Sequence, residues 1–254
     1  MIASMSAWSR NFPGGEVREL HGLIGAWADT DLAFCNSIFL SRPVEDRADL
    51  EARVGALADY LALRQKPPFL AVCQEWIPEP LRSAVPAIIA EAGLEPVLTM
   101  TGMVADELLA PMRPLPEVRY RRVCDAETRN QVADVNSAAY GFAMEAGRQA
   151  MAEPRIWTDD DFGHVAYLDG QAVAVAATVA LNGRLHVGLV ATLPGMQRRG
   201  YAEAVMRHSL ESAAQATGLR RTTLHATEMG RPVYRRMGYR DAATFQVYSR
   251  PTPA

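Results

Sequence analysis

The segment Gln197-Arg-Arg-Gly-Tyr-Ala202 combines residue types that suit the binding of a phosphate group. It follows an apolar stretch ending at Thr192 and opens a run with helical spacing, so its first backbone N–H groups lack partners within the helix. The helix dipole adds about half a positive charge at that end, where phosphates bind readily. Gly200 leaves room for a phosphate to approach the main chain, and Arg198 and Arg199 add donors. Taken alone, the pattern more often indicates an ordinary turn with two surface arginines.

The elements around this segment predict a mixed α/β fold. Asp169-Gly170 and Asn182-Gly183 are hairpin signals that join three apolar strands into an antiparallel meander. A helix over 201–217 follows, with one apolar face and Gly218 as its C-terminal cap. Further strands are expected over 118–123, 222–226 and 244–248, and further helices over 125–140 and 230–237. The fold class predicted is a mixed, mostly antiparallel central sheet flanked by helices.

Two motifs in this part of the chain resemble those of the GNAT N-acetyltransferase superfamily. The pattern Gln/Arg-x-x-Gly-x-Gly/Ala of its acetyl-CoA-binding motif is present as Gln197, Gly200 and Ala202, and Pro194 precedes it as the family favours. Downstream, Tyr234 lies on a predicted helix that ends in Gly238-Tyr239, similar to a later family motif. The order of strands and helices from residue 118 to 250 is similar too.

The resemblance implies a set of cofactor contacts. The backbone of the strand end should pair with the pantetheine arm of acetyl-CoA, and the N–H groups of the following turn and helix should hold the pyrophosphate. Thr227 stands where the family frequently carries asparagine against the pantetheine arm. The cofactor-binding residues expected are Val190, Ala191, Thr192, Gln197, Arg198, Arg199, Gly200, Tyr201, Ala202 and Thr227.

The resemblance also implies catalytic roles. Tyr234 matches the tyrosine that protonates the departing CoA thiolate in many members; a thiol has a pKa of about 8.5, so a weak acid suffices. Because the strand over 184–192 carries no carboxylate, His186 is the candidate general base, with His225 a weaker one. A histidine with no catalytic duty on a strand face is the alternative for His186. No His/Cys cluster has metal-ligand spacing, so no metal is expected.

The first half of the chain is expected to be mostly helical, with a strand near 69–76 and another near 95–103. Its second part is similar to the tail of a GNAT domain but carries no acetyl-CoA motif. We therefore expect either a tandem protein with a degenerate N-terminal half or an unrelated helical extension. Three prolines in 110–116 mark the boundary, giving a region 1–110 and an acetyltransferase domain 117–254.

Composition excludes several classes of protein. The 254 residues carry a net charge of −3, which argues against a nucleic-acid binder. Three scattered cysteines favour a reducing compartment, and the longest apolar run, 172–181, is too short to span a membrane. A cytoplasmic protein that needs no membrane is expected, and a homodimer is left open.

The function predicted is acetyl transfer from acetyl-CoA to a primary amine by direct transfer in a ternary complex. The acceptor, a small molecule or a peptide, is not specified by the sequence; the acidic run Asp159–Asp161 could attract an amine but is more often typical of a solvated turn. The alternative is a non-catalytic acyl-CoA sensor on the same fold. GxGxxG and GxSxG motifs are absent from the sequence, which argues against a dinucleotide-binding oxidoreductase and an α/β-hydrolase.

Overall fold

The computed structural model describes residues 2–251. The chain forms two compact units, which we call the C-terminal unit (Met103–Asp241) and the N-terminal unit (Ser4–Gly102 together with the chain from Ala242). The proline-rich segment 110–116 lies within the C-terminal unit.

Helices and strands alternate along most of the described chain. The α-helices are α1 (Ile2–Asn11), α2 (Arg47–Ala62), α3 (Val85–Ala90), α4 (Ala126–Tyr140), α5 (Met144–Met151), α6 (Tyr201–Thr217) and α7 (Arg231–Arg236). The strands are β1 (Glu16–Leu20), β2 (Leu23–Trp27), β3 (Asn36–Leu40), β4 (Phe69–Cys73), β5 (Glu95–Ala105), β6 (Arg119–Arg122), β7 (Asp161–Leu168), β8 (Gln171–Leu181), β9 (Arg184–Thr192), β10 (Thr222–Ala226) and β11 (Arg240–Ser249). No helix within residues 2–251 is both long and apolar enough to cross a bilayer.

The C-terminal unit contains strands in the order β10-β9-β8-β7-β6. The predicted meander is confirmed, since β7 pairs with β8 and β8 with β9, both antiparallel. Both hairpin turns place their Asx residue at positive φ, 50° for Asp169 and 51° for Asn182, as the twist of the flanking strands requires. Helix α6 begins and ends where the sequence predicted, and its apolar side packs on the sheet through Val205, Met206 and Leu210.

The N-terminal unit contains more strand than expected. The prediction of a mostly helical first half is wrong, because β1, β2 and β3 occupy much of the segment 16–40. Strands β2 and β3 are buried on both faces, so the alternation of polar and apolar residues that normally indicates a strand is missing. These strands pair in the order β1-β2-β3-β4, with β11 next to β4 through Phe245 to Tyr248.

The two units repeat one connectivity. In the N-terminal unit the hairpin β2–β3 is followed by α2 and by β4, which pairs parallel to β3. In the C-terminal unit the hairpin β8–β9 is followed by α6 and by β10, which pairs parallel to β9. A short helix and a strand come next along the chain in both cases, α3 and β5 after β4, and α7 and β11 after β10. This repeat agrees with the two related halves expected from the sequence.

Candidate functional site

Strands β9 and β10 pair near their N-terminal ends and then separate. The parallel pairing joins Leu185–Val187 to Thr222–Leu224, and the five residues of β9 that follow Val187 have no partner on β10. On the other side of β9, the register with β8 shifts between Val175 and Ala177, because β9 contains one extra residue there. Leu189, within this β-bulge, has a φ of 51°. A bulge bends its strand, so the end of β9 turns away from β10 and its backbone edge becomes available.

A cavity of about 320 Å³ lies beside this edge. Nine of the ten predicted cofactor-binding residues line it, as does Tyr234; the exception is Arg199. The Arg199 guanidinium instead donates to the Met196 sulfur at 3.7 Å. The predicted base His186 is also absent from the lining. The structure therefore brings together the strand end, the Gln197–Ala202 turn and the tyrosine of α7, as the motifs implied.

The N-terminus of α6 meets the cavity without a side-chain cap. Its N-cap residue is Gly200, with a φ of 89°, and Arg198 also has a positive φ of 63°. A Cβ on Gly200 would lie 3.2 Å from Pro116 Cδ and 3.6 Å from Arg113 Nη2. The glycine is thus required by its left-handed backbone and by the neighbouring proline, a reason that the sequence did not indicate. The first N–H groups of α6 have no capping oxygen of their own.

The equivalent helix end of the N-terminal unit is closed. The N-cap of α2 is Asp46, whose carboxylate accepts from the Asp49 backbone N–H at 2.9 Å. The Asp49 carboxylate in turn accepts from the Glu45 backbone at 3.0 Å and from buried Arg53. Two carboxylates therefore occupy the end of α2, where they would repel a phosphate. Strands β3 and β4 are also of equal length, and the pairing of β2 with β3 runs without a register shift from the Leu23/Leu40 pair to the Trp27/Asn36 pair.

Two polar groups at the strand end bear on what the cavity can hold. The Thr192 hydroxyl is buried and has no hydrogen-bond partner among residues 2–251. The Val190 carbonyl accepts a hydrogen bond of 2.8 Å from the Tyr140 hydroxyl. An open strand edge, an unpaired hydroxyl and an uncapped helix end fit an extended ligand with amide groups along its length and phosphate at one end.

Tyr234 contributes a buried phenol to the cavity. Its ring lies beside Gly230, where a Cβ would come within 3.0 Å of the ring, and makes an edge contact with Tyr239 at 6.0 Å. Burial, followed by the proximity of Tyr140 and Tyr239, raises the pKa of Tyr234 well above its usual value of 10. The side chain is therefore a protonated phenol at neutral pH, able to donate a proton or a hydrogen bond.

The two histidines differ in their access to the cavity. His225 lines it, whereas His186 lies behind His225, with ring centroids 5.4 Å apart. The His186 Nδ1 lies 3.1 Å from the Thr223 hydroxyl. Burial lowers the pKa of His186 from 6.5 to about 3 and that of His225 well below 6.5, so both rings are neutral at pH 7.

The charge lining the cavity is mostly positive. Arg113, Arg198 and Arg236 line it, and among the described residues none of the three forms an ion pair. The carboxylate in the lining, Glu203, is paired with Arg207 at 2.9 Å. Sequence reasoning missed Arg113, Arg236 and Tyr140, since none belongs to a recognisable motif. No group of three or more potential metal ligands occurs in the part of the chain that the structure describes.

Comparison with known proteins gives a family match for the segment that builds this site. Residues 125–248 match the sequence model of the acetyltransferase (GNAT) domain. No curated protein matches the chain significantly.

Solved structures share the fold over most of the chain. A GCN5-related N-acetyltransferase from Kribbella flavida is 21% identical with a TM-score of 0.71, covering 99% of this chain and 96% of that one. A GCN5-related N-acetyltransferase from Sphaerobacter thermophilus is 16% identical with a TM-score of 0.59, covering 91% and 78%. A tandem GNAT protein from the clavulanic acid biosynthesis pathway is 12% identical with a TM-score of 0.55, covering 85% and 76%. Residues 125–248 thus match the acetyltransferase (GNAT) domain family in sequence, and the solved structures share the fold over most of the chain.

Proposed function

We propose that the protein transfers the acetyl group of acetyl-CoA to a primary amine, directly and within a ternary complex. The observation that carries the proposal is the separation of β9 from β10 beside the uncapped end of α6. It supplies an unpaired strand edge and free N–H groups at one cavity, which is what a pantetheine arm ending in a pyrophosphate requires.

Different residues at the cavity would contact different parts of the cosubstrate. The backbone of Val190, Ala191 and Thr192 would pair with the pantetheine amides as an added strand does, and Thr227 would contact the same arm. The N–H groups of the turn and first helical residues, Gln197–Ala202, would hold the pyrophosphate, with Arg198 adding charge. Arg199 would act from outside the cavity, through its charge.

The chemistry needs a nucleophile, an acid and a proton acceptor. The amine nitrogen attacks the thioester carbonyl, the carbon–sulfur bond breaks, and the sulfur leaves as a thiolate that takes a proton from Tyr234. The new amide nitrogen loses one proton in the same reaction. The raised pKa of Tyr234 keeps this side chain protonated at neutral pH, so that its hydroxyl is available to hydrogen-bond the departing sulfur.

The proton acceptor is best supplied by His225. His225 lines the cavity and is neutral, whereas His186 is not part of the lining and lies with its ring 5.4 Å from that of His225. A neutral imidazole can accept a proton on its unprotonated nitrogen. The lowered pKa makes either ring a weak base. The amine substrate therefore has to enter the site uncharged or pass its proton to water.

The N-terminal unit is proposed to be a degenerate GNAT-like half, with 1–110 as the degenerate region and 117–254 as the acetyltransferase domain. Its connectivity repeats that of the C-terminal unit, and a tandem GNAT protein shares the fold. Asp46 and Asp49 close the helix end that would otherwise hold a phosphate. One acetyl-CoA per chain is therefore expected.

Thiol release from acetyl-CoA with a panel of amines tests the function, with Tyr234→Phe as the variant. We expect wild type to release thiol only when an amine is present, and Tyr234→Phe to lower kcat about tenfold or more with little change in the acetyl-CoA Kd. Tyr239→Phe is the matched control, because its hydroxyl contacts Thr222 rather than the cavity. Binding of acetyl-CoA without release by any amine would favour a non-catalytic acyl-CoA sensor.

A further inference from the structure

The proline-rich segment 110–116 reaches the helix end at which a phosphate would bind. Pro116 lies 3.2 Å from the position of a Cβ on Gly200, so this segment packs directly against the turn that opens α6. The guanidinium of Arg113 lies beside it, with Nη2 3.6 Å from the same position, and Arg113 lines the cavity. A residue outside both acetyl-CoA motifs is thereby placed at the positive end of the helix.

The surroundings of Arg113 leave its charge available. Within residues 2–251 its guanidinium forms no ion pair, and Glu203 of the same cavity is already paired with Arg207. Two arginines would repel each other at this helix end unless an anion lay between them, since Arg198 lines the cavity as well. A guanidinium presents a planar set of donors that matches phosphate oxygens.

The backbone that carries Arg113 is restricted. Pro111, Pro114 and Pro116 fix three φ angles in the segment, and Arg113 precedes a proline, which biases it towards an extended conformation. When Arg113 binds a ligand, it therefore loses less conformational entropy than an arginine on an unrestrained loop would lose.

We propose that Arg113 is a phosphate-binding residue, which holds the pyrophosphate of CoA against the N-terminus of α6 from the side opposite the helix. This inference rests on the proposed function, because it assumes that CoA occupies the cavity. It assigns the segment 110–116 a role in ligand binding in addition to its role as a connection. The pyrophosphate, rather than the 3′-phosphate, is the partner because Arg113 lies beside Gly200, the residue that opens α6.

Calorimetric titration of the full chain with CoA, 3′-dephospho-CoA and pantetheine tests this assignment. Arg113→Ala should weaken CoA and dephospho-CoA equally, by about tenfold, because both keep the pyrophosphate, and should leave pantetheine binding unchanged. Arg113→Lys should recover only part of the loss, since a lysine cannot make the paired hydrogen bonds of a guanidinium. The control is Arg220→Ala, which removes the same charge from an exposed site past the other end of the 17-residue helix α6, about 25 Å away.

The outcomes separate this inference from the proposed function. If wild type binds CoA and Arg113→Ala binds it as tightly as Arg220→Ala does, the inference about Arg113 is wrong while the proposed function stands. A loss confined to CoA, with dephospho-CoA unaffected, would also overturn it, because the contact would then be to the 3′-phosphate. If wild type binds neither nucleotide, the proposed function itself fails. Circular dichroism and melting temperature of each variant show whether it is folded.

Discussion

The hydroxyl of Tyr140, the last residue of α4, donates a 2.8 Å hydrogen bond to the carbonyl of Val190 in the bulged part of β9. Val190 is one of the backbone groups proposed to pair with the pantetheine arm. The side chain of Tyr140 is 44% exposed, and its ring stacks on Phe142 at 5.8 Å. The same carbonyl therefore has a partner within the protein before any ligand arrives, and we expect a pantetheine amide to compete with the hydroxyl for it.

Tyr140→Phe should lower the stability of the ligand-free protein and strengthen its binding of acetyl-CoA. The variant loses one hydrogen bond, which contributes about 1 kcal/mol to stability, and leaves the Val190 carbonyl free to accept from the pantetheine amide. We expect a lower Tm without ligand and an acetyl-CoA Kd reduced by about threefold to tenfold, measured by calorimetry.

Tyr120→Phe controls for the loss of a tyrosine hydroxyl, because the Tyr120 ring stacks on His208, outside the cavity lining. Its acetyl-CoA Kd should match that of wild type. A higher rather than lower acetyl-CoA Kd for Tyr140→Phe would show that the hydroxyl contacts the ligand instead of competing with it.

Gly200→Ala should destabilise the C-terminal unit and weaken acetyl-CoA binding together. An alanine at a φ of 89° costs about 1–2 kcal/mol, and its Cβ would lie 3.2 Å from Pro116, which must then move. Movement of Pro116 also displaces Arg113. Thermal unfolding and calorimetric titration measure the two effects, and Gly200→Glu should abolish binding by adding negative charge.

Gly195→Ala is the matched control for this substitution. Gly195 lies five residues earlier, where a Cβ would meet no atom within 4 Å, and it does not have a positive φ. Its Tm and Kd should stay close to those of wild type. If Gly200→Ala also kept the Tm and Kd of wild type, the inference that the proline-rich segment packs closely on the start of α6 would be wrong.

Local signals explain why much of the C-terminal unit could be predicted from the sequence. Asp169-Gly170 and Asn182-Gly183 can form few turns other than tight hairpins, and Asp125 forms the expected cap on α4 through Thr128. The Gln197–Ala202 pattern lies at the cavity because its residues form the turn that opens α6, and that helix end meets the cavity.

Contacts between residues distant in sequence explain what could not be predicted. Arg113 and Tyr140 reach the cavity from a loop and from a helix end that carry no motif, so only the folded chain places them there. The sequence indicates His186 because it is the titratable residue of β9, but strand alternation does not indicate which histidine ring reaches the cavity. In the structure, His225 on the neighbouring strand lines the cavity.

Stability should fall as the pH drops below about 6.5, with buried His164 as one cause. His164 is 4% exposed, and burial, followed by the nearby His208, lowers its pKa from 6.5 to about 4. The unfolded chain therefore binds more protons than the folded one between about pH 6.5 and pH 4, so the free energy of unfolding rises with pH there. This histidine contributes at most about 2 kcal/mol to the loss of stability between pH 7 and pH 5.

His164→Phe removes this titration while keeping a ring in the cluster formed with His208 and Tyr120. Urea unfolding at pH 7 and pH 5 should show a smaller difference in unfolding free energy for the variant than for wild type, whatever the absolute stability of each. His21→Gln, at an exposed position, should leave the wild-type difference unchanged. An equal difference in His164→Phe and wild type would mean that His164 becomes protonated in the folded protein as readily as in the unfolded chain, so that its burial does not exclude the charged form.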